Sequence, residues 1–213
     1  MNAILIYSGG LDSTTLLYEY RDEIRLAVTF DYGSKHNARE IACARENCAL
    51  LGIEHLVIPL EFIGRYFRSD LLIGGGDIPE GSYSDENMHS TVVPFRNGIM
   101  LAVAAGLAES RDLDTVLLAN HSGDHAIYPD CRPEFIEAFD KAASAGTYNG
   151  VRIVSPYCNL TKRDIALRGR TLGIDYARTY SCYKGGEKHC GVCGTCTERK
   201  EALTGFDPTE YDE

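Results

Sequence analysis

The segment Ser8-Gly9-Gly10-Leu11-Asp12-Ser13-Thr14 constrains this chain more than any other, because of what flanks it. The apolar run Ala3, Ile4, Leu5, Ile6, Tyr7 leads into it, and Leu16, Leu17 and Tyr18 follow. That order predicts a strand, a glycine turn and a helix start, with Asp12, Ser13 or Thr14 capping the first turn. Such a turn is an anion site. Without Cβ atoms, Gly9 and Gly10 let the backbone approach a phosphate closely, and the helix start adds N–H donors and about half a positive charge. The segment is neither Gly-x-x-x-x-Gly-Lys-Ser/Thr nor Gly-x-Gly-x-x-Gly, so the common phosphate-loop and dinucleotide fingerprints are excluded here. An ordinary tight turn between strand and helix is the plainer alternative.

Strand and helix patterns continue to alternate. Arg25 to Phe30 reads as a buried strand closing on Asp31, Tyr32 and Gly33, and Ala38 to Leu51 as a helix stopped by Gly52. His55 to Ile58 reads as a third strand, Arg96 to Glu109 as a helix, Thr115 to Ala119 and Val151 to Val154 as strands, and Thr161 to Leu172 as a helix ended at Gly173. Pro133 suits the first turn of a helix through Phe135, Ile136, Phe139 and Ala142. This alternation predicts an α/β fold, a doubly wound parallel sheet with helices on both faces. Residues 69–93 interrupt it with Gly74, Gly75, Gly76, Pro79, Gly81, Asp77, Glu80, Asp85, Glu86 and Asn87, and read as an active-site loop or lid rather than a disordered insertion. A polar stretch from Asn120 to Phe135 occupies the carboxyl end of a strand, where open α/β sheets bind ligands.

At 213 residues the chain has room for one main domain and a small appendage. Its formal charge of −10 disfavours broad attachment to nucleic acid and favours a small substrate. No apolar run approaches the roughly 18 residues of a membrane span, and the N-terminus enters a strand at once, so the expected location is the cytoplasm, with no membrane partner. Four of the eight cysteines, Cys182, Cys190, Cys193 and Cys196, crowd together with x7, x2 and x2 spacing. In a reducing compartment that crowding points to one tetrahedral metal ion, zinc first and an iron–sulfur cluster second. With no carboxylate among the ligands the site is structural, stapling residues 179–213 onto residues 1–178. His189, beside a ligand, reads as an exposed or supporting group. A zinc-dependent module that binds nucleic acid or protein is a rival, but Glu187, Glu198 and Glu201 offset Lys184, Lys188, Arg199 and Lys200.

The loop Ser8 to Thr14 resembles the pyrophosphate loop (PP-loop) of the ATP pyrophosphatases, which have an adenine nucleotide alpha hydrolase-like, Rossmann-like fold. Together with Phe30-Asp31-Tyr32-Gly33, Val93-Pro94-Phe95-Arg96-Asn97, Tyr128-Pro129-Asp130-Cys131-Arg132, Leu160-Thr161-Lys162 with Asp164, and the four cysteines, it makes essentially the whole chain resemble the 7-cyano-7-deazaguanine synthase family of queuosine precursor biosynthesis. The chain departs from the family pattern at Phe95, where many members carry glycine, and in Gly123-Asp124-His125-Ala126-Ile127 ahead of Tyr128.

The resemblance implies a carbon–nitrogen ligase that converts 7-carboxy-7-deazaguanine, ammonium and ATP to the nitrile, in a homodimer with ATP, Mg2+ and one structural Zn2+ per chain. It implies nucleotide contacts from Tyr7, Ser8, Gly9, Gly10, Leu11, Asp12, Ser13, Thr14, Thr15, Leu16, Leu17, Asp31 and Tyr32. Asp12, Ser13, Arg96 and Lys162 are the expected catalytic residues, Asp12 as the magnesium ligand. Asp124, Tyr128, Asp130 and Arg132 are the expected substrate contacts, with turn-forming or capping as the alternative for the two aspartates. A carboxylate has a poor leaving group, so its oxygen must be activated by ATP, displaced by ammonia, and the amide oxygen activated and eliminated in turn. Schemes releasing AMP and pyrophosphate or ADP and phosphate both accomplish this. A tRNA-thiolating or tRNA-ligating relative of the same loop family is the alternative, and it requires a basic RNA surface.

Overall fold

The computed structural model describes residues 1–83 and 86–212, so Asp85 of the expected loop lies outside the described residues. Five strands, β1 (Ala3–Ile6), β2 (Ile24–Asp31), β3 (Glu54–Pro59), β4 (Thr115–Leu117) and β5 (Arg152–Val154), form one sheet in the order β3-β2-β1-β4-β5, every neighbouring pair parallel. The chain winds outward from β1 to β3, then restarts on the other side of β1 with β4. That reversal leaves a crevice above the carboxyl ends of β1 and β4.

The helices are α1 (Leu11–Glu19), α2 (Asn37–Leu51), α3 (Glu61–Tyr66), α4 (Arg96–Ser110), α5 (Pro133–Gly146), α6 (Lys162–Thr171) and α7 (Gly194–Ala202). Alternation along the strands divides the core between two faces. Ile4, Leu26, Val28 and Val116 pack with Met100, Leu101 and Ala104 of α4 and Ile136 of α5. Ala3, Leu5 and Ala27 pack on the opposite face with Leu16 and Leu17 of α1, Ala44 and Cys48 of α2, and Ile165 of α6. Each such Leu or Ile contributes about 1.5–3 kcal/mol through its removal from water.

Local chemistry sets the helix ends. Gly52 closes α2 in the left-handed region at φ 66°, its N–H donating to Ala49 and Cys48 carbonyls. Thr161 and Asp164 form a reciprocal capping box at the start of α6, and Pro133 occupies the first turn of α5. Phe95, where the family resemblance leads one to expect glycine, lies at φ 54°; a Cβ-free residue is at home there, whereas Phe95 packs edge-on against Phe135 at 5.7 Å.

One expectation changes, the absence of any apolar run near the length of a membrane span. Over Met88–Ser110 the chain is long and apolar enough to pass as a membrane span by length and composition. In the fold this stretch is a short 3-10 turn, a break at Pro94-Phe95 and then α4, with half of its apolar window buried in the core. The 69–93 segment is well packed where it is described: Leu71, Leu72, Ile78, Tyr83 and Met88 are buried, and Glu80 bridges to Cys193.

Candidate active site and cysteine centre

A cavity opens over the carboxyl ends of β1, β2 and β4 and reaches from Ser8 and Ser13 to Arg96, Asn97 and Tyr128. Tyr83 from the 69–93 segment and Tyr180, Ser181, Tyr183 and Thr195 from the C-terminal segment complete its wall. Of the sequence-predicted residues, Tyr7, Ser8, Gly10, Leu11, Asp12, Ser13, Tyr32, Arg96, Asp124, Tyr128 and Lys162 line it.

The loop differs from expectation at its cap. Gly10, not a side chain from 12–14, is the N-cap residue of α1, and no side chain caps the first turn. Ser8 Oγ instead accepts from the Gly10 N–H at 3.1 Å and lies 3.0 Å from Ser13 Oγ. The helix start therefore presents its N–H groups to the cavity without a competing internal acceptor. Gly9, at φ 84°, admits no side chain: a Cβ would lie 2.4 Å from the Glu40 carbonyl oxygen and 2.9 Å from the Ala44 nitrogen of α2.

Gly9, Thr14, Thr15, Leu16 and Leu17 do not line the cavity. Thr14 bonds Tyr7 Oη at 3.1 Å, Thr15 bonds the Leu11 carbonyl and Tyr176 Oη, and Leu16 and Leu17 sit in the core. These four lie one turn and more beyond the loop, where α1 is buried on all sides. Asp31 is exposed outside the cavity, its Oδ1 accepting from Gly33 N. Asp130 and Arg132 also stay outside: Asp130 Oδ2 accepts from Asn97 N at 2.8 Å in the first turn of α4, and Arg132 Nε donates to the His125 carbonyl at 3.0 Å. Asp130 thus takes the capping role, while Asp124 combines two. Its Oδ2 accepts from His121 N, and its Oδ1, at the cavity, accepts from Tyr83 Oη at 3.1 Å.

Beside the loop, Lys162 Nζ stands 3.1 Å from Asp12 Oδ2 and 2.8 Å from Glu198 Oε2. Burial acts against the lysine's charge, but Asp12, Glu198 and Asp124 outweigh it and hold its pKa well above the usual range. Asp12 Oδ1 is buried without a hydrogen-bond partner, an open acceptor of the kind a hard cation takes. His121 lies among Asp12, Asp124 and Glu198 at 3.7–3.9 Å. Farther along the wall, Arg96 Nη1 donates to Tyr32 Oη at 3.0 Å.

The four cysteine Sγ atoms all lie within 4.8 Å of one another, Cys190 and Cys196 at 3.9 Å. Sulfurs at about 2.3 Å from a tetrahedral zinc are spaced about this far apart. The Cys193 N–H points at Cys190 Sγ (3.3 Å) and the Cys190 N–H at Cys182 Sγ (3.4 Å), donors that stabilise thiolates. Hydrogen bonds from the Cys182 and Cys196 thiols hold Cys193 far below the usual thiol range. The donor set fits zinc, with no side chain other than cysteine in the cluster. His189 is buried rather than exposed; its Nε2 accepts from Ser181 N at 3.1 Å, and burial pushes its pKa down to about 4.

Sequence reasoning missed Glu198, His121, Tyr83, Tyr183, His36 and Glu40. Glu198 and Arg199 looked like a solvated charged face. In the fold Glu198 reaches Lys162, which lines the cavity, and Arg199 is fully buried, donating to Thr209, Ser181, Thr179 and the Tyr176 carbonyl. The signal was their place two and three residues past a metal ligand, which turns them inward.

The chain matches the family described as "Queuosine biosynthesis protein QueC" over residues 2–207. It belongs to this family. The 7-cyano-7-deazaguanine synthase of Porphyromonas gingivalis is 65% identical over 99% of this chain and 97% of that protein. Those of Desulfotalea psychrophila and Methanoregula boonei are 56% and 48% identical, covering 99% and 100% of this chain and the same shares of theirs. A structure of NMN synthetase from Francisella tularensis superimposes with a TM-score of 0.51 at 14% identity, covering 88% of this chain and 69% of that one, a likeness of fold alone.

Proposed function

We propose that this QueC-family chain is a 7-cyano-7-deazaguanine synthase, a carbon–nitrogen ligase that turns 7-carboxy-7-deazaguanine and ammonium into the nitrile at the expense of ATP. The observation that carries the reading is the uncapped start of α1 at the sheet's switch point, with Lys162 and the open oxygen of Asp12 beside it. This arrangement suits the polyphosphate of ATP. Gly9 and Gly10 give the backbone its close approach, Ser8 and Ser13 add hydroxyls, and Lys162 offsets charge that grows on pyrophosphate as a carboxylate oxygen attacks the α-phosphorus. Magnesium, held by Asp12, supplies further charge on the phosphates when bound. Ammonia then displaces AMP, and a second activation on the amide oxygen followed by elimination gives the nitrile.

Arg96 supplies positive charge for the substrate carboxylate or a phosphate, Tyr32 and Tyr128 supply cavity surface, and Asp124 accepts from the amino and ring N–H groups of the deazaguanine. Residues 1–178 form the catalytic unit and 179–213 the segment braced by zinc. The family resemblance supports a homodimer, and the formal charge of −10 supports small-molecule substrates in the cytoplasm over RNA. The test is mass spectrometry of the zinc-loaded protein with ATP, magnesium, ammonium and 7-carboxy-7-deazaguanine. Nitrile accompanied by AMP is expected; absence of nucleotide turnover with that substrate overturns the reading.

A further inference from the structure

We infer that Glu40, partnered by His36, receives ammonium in the cavity and takes its proton before the carbon–nitrogen bond forms. This rests on the proposed function above and names two residues for one of its steps. Both side chains line the cavity, one turn apart at the start of α2, with His36 Nε2 3.5 Å from Glu40 Oε2. Their helix is pressed against the phosphate loop, since the Glu40 carbonyl is what a Cβ on Gly9 would strike. The pair therefore stands where an acyl phosphate formed at that loop would be attacked.

The other carboxylates in or beside the cavity are engaged. Asp12 and Glu198 share Lys162, and Asp124 holds His121 N and Tyr83 Oη. Among the described residues Glu40 is ion-paired to no lysine or arginine, and its close titratable partner is the imidazole of His36. His36 is itself buried, stacked on Tyr183 at 5.2 Å, and its Nδ1 has no hydrogen-bond partner. A largely covered carboxylate lacking a fixed counter-ion, next to an unused imidazole nitrogen, matches a small cation whose only chemistry is N–H donation. Burial pushes Glu40 up to about 8, against the pull of Arg96, and pushes His36 down to about 3, so neither is locked in its charged form. Arg96, Tyr32 and Tyr183 are the other ionisable groups lining the cavity around them.

Ammonium binds the ionised fraction of Glu40, which its charge favours, and gives that carboxylate one proton, and the freed nitrogen lone pair forms the bond to the acyl carbon. The nitrogen, now cationic, is held by an N–H donated to the neutral His36 Nδ1, whose ring keeps its own proton on Nε2 toward Glu40. The acyl carbon–oxygen bond breaks, its electron pair leaves with AMP, and the second proton of the nitrogen goes to the departing phosphate, so the products are the amide, singly protonated AMP and one proton on Glu40.

The experiment compares wild type, Glu40→Gln, Glu40→Asp and His36→Gln, each checked for zinc content and circular dichroism. Three readouts are taken: ATP–pyrophosphate exchange with 7-carboxy-7-deazaguanine, turnover against ammonium concentration, and turnover with hydroxylamine, a nucleophile already uncharged at neutral pH. For Glu40→Gln the expectation is unchanged exchange, ammonium turnover lowered by about 10²–10⁴-fold, and hydroxamate formation close to wild type. Glu40→Asp restores part of the ammonium reaction, and His36→Gln raises the ammonium KM with exchange intact. Ammonium turnover untouched in Glu40→Gln, or exchange or hydroxylamine turnover lost together with it, overturns the inference. Wild type that shows no exchange at all overturns the proposed function instead. If Glu40→Gln does not fold, Glu40→Asp with an unaltered ammonium KM overturns the inference.

Discussion

Gly9 is the position where a single atom decides the most. Its φ of 84° and the 2.4 Å separation of a would-be Cβ from Glu40 backbone mean that Gly9→Ala must shift α2 or abandon the loop conformation. Strain of about 1–3 kcal/mol is expected in urea denaturation, with ATP affinity falling by more than that stability loss alone would produce. At Lys162 the logic is electrostatic. Lys162→Met leaves the neighbouring Asp12 and Glu198 carboxylates without their shared cation, so activity should be lost while Glu198→Gln, which keeps a hydrogen-bond acceptor for Lys162, retains more of it; the check is kcat for both variants under saturating ATP. The glycine loop was readable from sequence because its residue types are tied to phosphate chemistry and its place to a strand end, whereas Lys162 and Arg96, at helix starts, came with the family resemblance. Glu40 and His36 were not, since a carboxylate on a helix is ordinarily solvated and only the crossing of α2 over Gly9 brings this one inside.

Among the elements, α7 joins the cysteine cluster to the wall of the cavity. Cys193 and Cys196 hold its first turn, Glu198 leaves its next turn toward Lys162, and Arg199 pins it to residues 176–181 through three hydrogen bonds and to Thr209 through a fourth. Cys193→Ser should therefore release zinc, measured by elemental analysis, and lower activity through displaced Glu198 although none of the four clustered cysteines lines the cavity. Arg199→Met removes donors from a cluster of buried acceptors, and about 3–5 kcal/mol of stability should disappear in denaturant titration with zinc still bound. The alternating strands and α2, α4, α5 and α6 were legible because period 2 and period 3.6 are local properties. The short 3-10 turns, and the packing of 69–93 against Cys193, depend on contacts far away in sequence and left no periodic trace.

For the molecule as a whole, stability is coupled to protonation in the cavity. Glu40, raised from 4.5 to about 8, binds a proton in the native state that the unfolded chain has already lost, so its contribution falls as pH rises toward 8. His36, lowered from 6.5 to about 3, acts in the opposite sense below pH 6.5. The two oppose one another between 4.5 and 6.5, and above 6.5 Glu40 acts alone. Unfolding free energy should then decline with pH by at most about 1.4 kcal/mol per unit, and Glu40→Gln should flatten that decline.

The sheet's switch point, the bare start of α1 and the cation beside it all serve one claim, that ATP is cleaved at the α-phosphorus by an oxygen of the substrate. That claim is tested most directly with 7-carboxy-7-deazaguanine carrying 18O in its carboxylate. The label should appear in the phosphate of AMP, with both oxygens transferred by the time nitrile is complete. Label found in inorganic phosphate beside ADP, or AMP released without label, would contradict the account.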